Sequence, residues 1–557
     1  MAKLREIIAV MRKPIPSVLL IMFCSAIGFS QNQTPGILLQ KQNDGARLMI
    51  DNHPFLILGG ELGNSTASDM EYLRPSWSHL RQMNLNTVLA PVYWELLEPE
   101  ENRFDFSLVD SLIANARRYE MKLVLLWFGS WKNSMSCYAP LWVKSNATRF
   151  TRTADKTGNT QEILSVFGRE TLEADKKAFA ILMKHIRQTD ALKKTVIMVQ
   201  VENEIGMLPV AREISPSSDA LYRSDIPEAL GKYLMKNKDH LVPELKEKWA
   251  ENGFKTEGSW ETVFGKNIAT DEIYQAWFYA GYVNQVAAAG KKEYDIPMYV
   301  NAALPRQGKL PGEYPSAGPL PHLMDIWQAA APSIDVLSPD FYNPDTKYWC
   351  DLFIRNQNPL FIPEMHFEKS VAAKVFFIIG HYKAFGFSPF SIESESEAAL
   401  PLSRSYDILR QLSPFITSPK RMNMDGFVLD KNDKSCTIKM GAYNIKVSHY
   451  NTLSWAADRN DSSWSSTGGM IIQTADNEFL VAGTGFTAVF NNSDSMKITN
   501  IASTDEVRYI RGEEIKGRRM NGDEDHQGRH VRFDADAWGI QKLRLYNTEK
   551  ESTTVNR

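Results

Sequence analysis

Two acidic stretches each follow a short apolar run, and these are the places where the chain could do chemistry. The run Val196–Val201 leads into Glu202-Asn203-Glu204, and the run Pro359–Ile362 leads into Glu364. Acidic side chains are costly inside a core but useful where a buried strand emerges into a site. One acid of a pair can protonate a glycosidic oxygen while the other attacks or activates water. We therefore predict that Glu204 and Glu364 form a catalytic pair that breaks glycosidic bonds.

Strands that end at one common edge are needed to bring these acids together, and the chain has the matching pattern. From about Phe55 to Ser391, short apolar runs alternate with longer amphipathic stretches, which predicts parallel strands joined by helices. Eight such repeats predict an α/β fold, a (β/α)8 TIM barrel with its chemistry at the carboxyl ends of the strands. The predicted strands are Phe55–Gly60, Thr87–Pro91, Lys122–Phe128, Thr195–Val201, Pro297–Asn301, Asp335–Ser338, Pro359–Ile362 and Phe387–Ser391.

Amphipathic stretches between the strands predict helices. They include Tyr72–Met83 and Leu108–Tyr119, and a last barrel helix over Tyr406–Phe415. The interval from Glu202 to Ile296 is long for one connection, and it is helical in pattern over Asp239–Asn252 and Asp271–Lys291. An insertion of this length either forms a wall of the site or decorates the outside of the barrel.

After the last barrel helix the composition changes. Gly, Asn, Asp, Ser and Thr cluster between short apolar runs at Phe479–Ala482, Ala488–Phe490 and Val531–Phe533, and Asn521-Gly522 is a hairpin-turn signal. This pattern predicts an all-β, sandwich-like C-terminal domain. The predicted organisation is therefore a catalytic barrel over residues 36–415 and a β domain over residues 417–557, which either binds glycan or braces the barrel.

The first thirty residues have the order of a secretory signal peptide. Basic residues precede the apolar run Val18–Ala26, and small residues follow it as far as Ser30. The run is too short to span a bilayer. We favour cleavage near Ser30 over a lipid anchor at Cys24, which predicts a protein that is secreted and periplasmic or bound to the surface of a bacterial cell.

The composition excludes several function classes. The net charge is −3 with both signs interspersed across 557 residues, so nucleic acid is not an expected partner and no stretch predicts a membrane span. Cleavage of the signal would leave three widely spaced cysteines, and the ten histidines show no ligand spacing, so no metal and no cofactor are expected. The thirteen Trp and twenty Tyr residues serve either as core or as sugar-stacking platforms.

Three stretches resemble the β-galactosidases of glycoside hydrolase family 35. Gln200–Gly206 (QVENEIG) is close to the family signature, Tyr93–Phe106 (YWELLEPEENRFDF) resembles its aromatic-Trp-x-x-x-Glu-Pro segment, and Leu58–Gly63 (LGGELG) is similar to its first-strand Gly-Glu motif. The resemblance covers roughly Gly36–Phe415. It implies a retaining enzyme of the large clan that carries its acid on strand four and its nucleophile on strand seven.

The resemblance also implies roles for individual residues. Glu204 would be the acid/base, Glu364 the nucleophile, and Asn203 would bind the sugar 2-hydroxyl. Tyr342, in the segment SPDFYNP, resembles the tyrosine that hydrogen-bonds the nucleophile and keeps it ionised. The two catalytic carboxyl groups would lie about 5–5.5 Å apart, with net retention of configuration.

Further residues are candidates for the walls of the site. Glu61, Tyr93, Trp94, Glu98, Trp131 and Glu393 are predicted to bind substrate. For Trp94 and Trp131 the alternative is packing, and for Glu98 it is a role in fixing a loop. We read His366 as structural and Glu202 as outside the reaction. Because residues two apart share a face of a strand, Glu202 is expected beside Glu204, either tuning its pKa or pairing with a base.

One stretch departs from the family pattern. Where family members carry a small residue followed by Glu after strand three, this chain has Phe128–Asn133 (FGSWKN) with no acid. The main hypothesis is an exo-acting β-galactosidase of plant cell-wall oligosaccharides such as xyloglucan fragments. A β-glucosidase, β-mannosidase or β-arabinosidase is the alternative within the same chemistry, because polar hydroxyl readers discriminate sugars. A glycan-binding protein that has lost catalysis is the alternative from another class.

Overall fold

A computed structural model describes residues 36–42, 45–155, 157–343, 345–418, 422–454 and 464–550. The predicted signal peptide, residues 1–30 with Cys24, lies outside the described residues. None of the helices in the described ranges is long and apolar enough to cross a membrane.

Eight parallel strands form the predicted TIM barrel, and a small antiparallel sheet precedes it. That sheet consists of β1 (Ile37–Gln42), β2 (Gly45–Ile50) and β3 (His53–Phe55), which the sequence pattern did not predict. The barrel strands follow in chain order as β4 (Ile57–Glu61), β5 (Thr87–Tyr93), β6 (Lys122–Lys132), β9 (Val196–Asn203), β10 (Met298–Ala303), β11 (Val336–Phe341), β12 (Glu364–Met365) and β13 (Gly386–Phe387). A short hairpin of β7 (Arg152–Ala154) and β8 (Thr160–Leu164) lies in the connection between β6 and β9.

The barrel closes between its seventh and eighth strands. Each of the eight strands except these two pairs with the next one along the chain, and β13 returns beside β4. The Ile362 amide donates to Gly386 O at 3.2 Å, and the Phe385 amide donates to Leu360 O at 3.1 Å, which joins β12 to β13. Because both faces of a barrel strand are covered, apolar runs rather than alternating patterns form these strands. Eight barrel strands are confirmed. The first six overlap their predicted ranges, the eighth shares only Phe387 with its prediction, and the seventh begins two residues after the predicted Pro359–Ile362.

The helices occupy most of the connections. They are α1 (Met70–Leu73), α2 (Ser76–Gln82), α3 (Trp94–Leu97), α4 (Ser107–Arg118), α5 (Leu141–Lys144), α6 (Arg169–Asp190), α7 (Pro216–Arg223), α8 (Glu228–Lys236), α9 (Pro243–Glu251), α10 (Trp260–Phe264), α11 (Ile268–Glu293), α12 (Met324–Ala330), α13 (Thr346–Phe353), α14 (Val371–Gly380) and α15 (Ala399–Ile416). The predicted helix Tyr72–Met83 is wrong as a single element, because Pro75 separates α1 from α2 and cannot continue a helical hydrogen-bond ladder.

The long interval between β9 and β10 divides into two parts. Helix α11 packs against α6 as an ordinary barrel helix, while α7, α8, α9 and α10 pack on one another and on α11 and α12. The first residues of the interval lie beside the strand end, where Met207 and Ser316 exchange backbone hydrogen bonds of 2.8 and 3.2 Å. The four shorter helices are therefore an outer decoration, and the start of the interval is the part nearest the barrel mouth.

Two antiparallel sheets form the predicted C-terminal sandwich. One has the strand order β14 (Asn423–Leu429), β17 (Thr467–Ala475), β18 (Glu478–Thr484), β23 (Gly539–Glu549), β20 (Lys497–Ile510) and β21 (Glu513–Arg519). The other has the order β15 (Ser435–Met440), β16 (Tyr443–His449), β19 (Phe486–Asn492) and β22 (Val531–Arg532). Aromatic rings join the sheets, since Phe427 lies 4.7 Å from Phe486 and Tyr443 lies 5.5 Å from Phe479 between ring centroids.

The sandwich packs on the barrel through α14, and its predicted hairpin turn is wrong. A side chain at Gly426 would lie 2.1 Å from Phe376 O, so only glycine lets β14 approach α14 this closely. Asn521 does not form a hairpin turn, because it caps a single helical turn, Gly522–His526, with its side chain accepting from the Asp523 amide at 2.8 Å. The strands on either side of this turn, β21 and β22, belong to different sheets.

Candidate functional site

Four buried carboxyl groups meet at the carboxyl end of the barrel. Glu61 ends β4, Glu204 directly follows β9, Asp340 lies near the end of β11, and Glu364 begins β12. Asp340 and Glu364 are directly paired across β11 and β12. The parallel strands bring the acids together because their carboxyl ends share one edge, as expected for a barrel site. The predicted pair is therefore part of a larger acidic cluster.

Hydrogen bonds from two neighbouring strands fix the backbone around Glu204. A tight turn after β6 gives Asn133 and Ser134 positive φ angles of 50° and 62°. Their amides donate to the carbonyl groups of Asn203 and Glu204, both at 3.2 Å. On the other side, the Glu204 amide donates to Asn301 Oδ1 at 3.0 Å. These bonds hold Glu204 at φ 43°, a conformation that costs a non-glycine residue about 1–3 kcal/mol.

The expectation that Glu202 lies beside Glu204 is wrong. Glu202 has φ 62°, so the alternation of a regular strand is broken between the two acids. Its carboxylate turns behind the strand, where Oε2 accepts from the Trp131 amide at 2.7 Å. Burial raises the pKa of Glu202 well above its ordinary value, and the neighbouring Asp175 adds to the rise. Glu202 therefore belongs to a buried network behind the site.

This raised pKa predicts a pH-dependent contribution to stability. Protons favour the folded state while Glu202 is protonated, so its contribution is full below the ordinary value of 4.5 and is lost as pH rises through the raised value. Glu202→Gln should remove this effect. The difference in unfolding free energy between wild type and variant should change by up to about 1.4 kcal/mol per pH unit in that window.

Urea unfolding of the two proteins at pH 5, 6, 7 and 8 measures this difference. The exposed Glu247 serves as the control, since Glu247→Gln alters a carboxylate that is open to solvent. If wild type and Glu202→Gln lost stability in parallel over this range, the buried network would not hold a proton on Glu202.

Tyr342 contacts Glu364 as the sequence predicts. The hydroxyl of Tyr342, a half-exposed residue, donates to Glu364 Oε1, while Glu364 Oε2 is buried and accepts no hydrogen bond from the described residues. Burial and the charge of Glu204 raise the pKa of Glu364 to about 7, and Lys132 and the Tyr342 hydroxyl oppose that rise. Burial and the charge of Glu364 raise the pKa of Tyr342, which keeps the phenol protonated as a donor.

A buried lysine completes the charge pattern of the site. Lys132, the last residue of β6, donates from Nζ to Asn133 Oδ1 at 2.6 Å and lies 5.2 Å from the Phe128 ring centroid. The pKa of Glu204 is raised by burial, and Lys132 and a hydrogen bond with Asp340 act against that rise. Lys132 is not among the predicted site residues, although a lysine at the end of a long apolar strand is itself a signal, because burying a cation requires nearby acids.

Two of the predicted substrate-binding residues present unpaired polar atoms in the site. Both carboxylate oxygens of Glu61 and both amide atoms of Asn203 are buried and have no hydrogen-bond partner among the described residues. Burial raises the pKa of Glu61 well above its ordinary value, and Glu364 adds to the rise. Buried polar groups are normally hydrogen-bonded, so atoms of this kind at a barrel mouth fit a polar ligand.

Four other predicted residues support the mouth rather than face it. Trp94 is fully buried and donates from Nε1 to Glu98 Oε2 at 2.9 Å, while Glu98 Oε1 accepts from the Asn102 amide at 2.8 Å. Trp131 is fully buried and packs edge-on against Tyr279 and Tyr282. The predicted substrate contacts of Trp94, Glu98 and Trp131 are therefore corrected to packing and loop fixation. The Tyr93 hydroxyl donates to Asn64 O at 2.8 Å, which fixes the loop after β4.

Glu393 and His366 lie at the rim. Glu393 accepts from the Gly63 amide at 3.0 Å and from the Thr66 hydroxyl at 2.5 Å, so its carboxylate holds the loop after β4 next to Glu61. His366 is exposed, and its ring centroid lies 6.2 Å from that of Tyr342. In the part of the chain that the structure describes, no cluster of His, Cys, Asp and Glu could hold a metal ion.

Two family models match parts of the chain. Residues 67–264 match a model described as "Beta-galactosidase" (Glyco_hydro_42), a segment that contains Asn203 and Glu204 and ends before Glu364. Residues 402–532 match a model described as "Domain of unknown function (DUF5597)". A comparison with curated proteins found no match. The resemblance to family 35 is not confirmed, because the family model that matches is that of family 42.

Solved β-galactosidase structures are also similar. The enzyme of the psychrophilic Marinomonas ef1 matches at 12% identity with a TM-score of 0.42, covering 64% of this chain and 60% of that one. The enzyme of Bacillus circulans sp. alkalophilus matches at 14% identity with a TM-score of 0.44, and the match covers 65% of this chain and 57% of that one. The enzyme of the Antarctic haloarchaeon Halorubrum lacusprofundi matches at 14% identity with a TM-score of 0.44, and the match covers 64% of this chain and 58% of that one.

The chain spans about three fifths of the length of these structures. The family model covers the second to fourth barrel strands, with the Asn203-Glu204 pair at the end of the fourth. On that match, residues 67–264 of the barrel are similar to the family 42 glycoside hydrolases.

Proposed function

We propose that the chain is a retaining, exo-acting β-galactosidase that removes terminal β-galactosyl residues from plant cell-wall oligosaccharides such as xyloglucan fragments. The observation that carries the mechanism is the hydrogen bond from Tyr342 to Glu364, in a buried site that also holds Glu204. The description of the matching family model supports the choice of a β-galactoside.

In the first step, Glu204 acts as general acid and Glu364 as nucleophile. The Glu204 carboxyl gives its proton to the glycosidic oxygen as the bond from that oxygen to the anomeric carbon breaks. A Glu364 oxygen forms a bond to the same carbon, and the product is a covalent glycosyl-enzyme. Because Glu364 Oε1 accepts from Tyr342, Oε2 is the oxygen left to attack.

In the second step, Glu204 acts as general base. It takes a proton from a water molecule, whose oxygen attacks the anomeric carbon and displaces Glu364 as a carboxylate. The two inversions give net retention of configuration. The cycle requires Glu364 to be ionised and Glu204 to be protonated at its start. The Tyr342 hydroxyl favours the ionised form of Glu364, and protonation of Glu204 removes a charge that raises the pKa of Glu364.

The residues around the sugar site also fit a second candidate specificity. After strand three, where the family resembled in sequence carries an acid, this chain has Phe128–Asn133, which includes Lys132. The buried Glu61 lies in the same acidic cluster. A pocket that reads hydroxyl groups with a different donor set can prefer another epimer. A β-glucosidase, β-mannosidase or β-arabinosidase with the same catalytic pair is therefore the alternative.

A panel of 4-nitrophenyl glycosides tests the choice of sugar. We expect kcat/KM for the β-galactoside to exceed that for the β-glucoside, β-mannoside and arabinoside by about 100-fold, since buried polar readers left unpaired by the wrong epimer cost binding energy. Release of galactose from galactosylated xyloglucan oligosaccharides checks the natural substrate. A higher kcat/KM on any other glycoside would replace galactose, and calorimetric binding without turnover of any of them would indicate a glycan-binding protein.

The cellular location is part of the same proposal. A signal-like segment precedes the described residues, and polysaccharide fragments are met outside the cytoplasm, so we place the enzyme in the periplasm or at the cell surface of a bacterium.

A further inference from the structure

A chain of hydrogen bonds runs from the Glu204 backbone to Asp340. The Glu204 amide can only donate, and it donates to Asn301 Oδ1 at 3.0 Å. This fixes the orientation of the Asn301 amide group, whose Nδ2 donates to Asp340 Oδ2 at 2.6 Å. Since Oδ2 of Asp340 already accepts a hydrogen bond, a proton on this carboxyl group is directed to Oδ1.

The second oxygen of Asp340 has a single candidate partner. Oδ1 is buried, and no donor among the described residues reaches it. A hydrogen bond between the Asp340 and Glu204 side chains raises the pKa of Asp340 and acts to lower that of Glu204. Two ionised carboxylates cannot hydrogen-bond to each other and would repel in a buried site, so a proton between them is the arrangement with the lower free energy.

We propose that Asp340 is a positioning residue that shares one proton with the acid/base Glu204, and that Asn301 directs this sharing by holding both partners. The inference rests on the proposed function of Glu204. It adds a third carboxyl group to the catalytic apparatus, one that acts on the acid/base and not on the sugar.

Charged and titratable groups face Asp340 from every adjoining strand. Glu364 and Glu61 increase the negative charge around it, and the buried Tyr299 hydroxyl of β10 lies in the same cluster. Lys132 acts on Glu204 from β6, and Tyr342 follows Asp340 by two residues and binds Glu364. Burial, with Glu364 as the next cause, raises the pKa of Asp340 well above its ordinary value.

Sharing has a consequence for the working pH of the enzyme. A coupled pair releases its protons in two steps, and the second proton leaves at a higher pH because each new charge repels the other. Either carboxyl group can hold that last proton, so Glu204 remains able to present it to the leaving oxygen. After the proton is transferred, the pair takes one back from water in the second step, and the proton balance is restored.

Asp340→Asn tests the proposal. The introduced amide can accept from Asn301 and donate to Glu204, but it cannot hold an exchangeable acid proton or a charge. Glu204 should then lose its proton at lower pH, and the alkaline limb of kcat/KM should move down by roughly one unit or more. The loss of kcat should be about 100-fold for a poor leaving group and small for 2,4-dinitrophenolate, which leaves without protonation.

Ser338→Ala is the matched control, because Ser338 is a buried polar residue on the same strand, two residues before Asp340, and touches neither acid through a hydrogen bond. Its alkaline limb should stay in place. An equal loss on both leaving groups with no movement of the alkaline limb in Asp340→Asn would reduce Asp340 to a structural role and overturn the proposal.

A titration of the Asp340 carboxyl group does not depend on activity. It tests the sharing of the proton even if Asp340→Asn does not fold or the enzyme cleaves another kind of bond. In protein labelled with 13C at the aspartate carboxyl carbons, the Asp340 resonance should titrate well above pH 4. Its midpoint should fall in Glu204→Gln, where the partner charge is gone. An Asp340 midpoint that does not respond to Glu204→Gln would contradict the sharing even if glycoside hydrolysis is confirmed.

Discussion

Glu364→Gln is expected to lower kcat by about 10⁴-fold or more on every glycoside that the wild type hydrolyses. The amide has the shape of the acid, but its oxygen is a poor nucleophile and cannot form the glycosyl ester. The hydrogen bond from Tyr342 can still be accepted by the amide oxygen, so the fold around β12 should be kept. Steady-state kinetics together with circular dichroism measure both parts of this expectation.

The neighbouring Glu368 provides the control for this change. Glu368 lies four residues further on, is partly exposed and pairs with Lys374 at 2.9 Å, so Glu368→Gln should leave kcat within about twofold of wild type. Glu364→Gly with sodium azide gives a second readout, since azide can fill the space of the nucleophile and form the α-glycosyl azide. Turnover by Glu364→Gln close to that of the control would remove Glu364 from the reaction.

Glu204→Gln should separate substrates by their leaving groups. For an alkyl or sugar leaving group, kcat should fall about 10²–10⁴-fold, because no proton is supplied to the departing oxygen. For 2,4-dinitrophenolate the first step should remain fast. The second step lacks its base, so the glycosyl-enzyme should accumulate and a burst of dinitrophenolate should precede slow turnover.

Glu202→Gln is the natural control for this variant, since the two acids are two residues apart and yet occupy different sides of the strand. It should keep wild-type dependence on the leaving group. Azide should restore turnover of Glu204→Gln by attacking the glycosyl-enzyme without a base, and the product should be the β-glycosyl azide. Equal losses on good and poor leaving groups would exclude Glu204 as the proton donor.

The order of apolar runs predicted the barrel because each run is buried on both faces and long enough for one strand. The same runs located Glu204 and Glu364, since an acid directly after such a strand has few structural uses. The contact of Tyr342 with Glu364 also agrees with the prediction. The pattern of apolar runs therefore predicts at which strand end a residue lies.

The pattern of apolar runs does not predict the direction in which a side chain points. Glu202 turns away from Glu204 because both have positive φ angles, which the identity of a glutamate does not signal. Trp94 and Trp131 were predicted to be sugar platforms, and both are fully packed. An aromatic residue near a strand end is compatible with either role, and only the neighbouring side chains decide between them.

Asp340 and Lys132 were missed for related reasons. Asp340 lies inside SPDFYNP, where the family resemblance gives a role to Tyr342, and Lys132 lies in a segment whose distinguishing feature is the absence of an acid. Each is explained only by groups from other strands: Asp340 by Asn301 and Glu204, and Lys132 by the acids that face it. Contacts between residues that lie dozens of positions apart on different strands are not visible in one sequence.

Trapping of the glycosyl-enzyme tests the central claim, that Glu204 and Glu364 act as a retaining pair, most directly. A 2-deoxy-2-fluoro glycosyl fluoride of the sugar that the panel selects slows the second step, because the fluorine destabilises the positive charge that develops at the anomeric carbon. Intact mass spectrometry should show one added fluoroglycosyl unit, and peptide mapping should place it on Glu364. Full turnover of the reagent without an adduct, or an adduct on any other residue, would contradict the account.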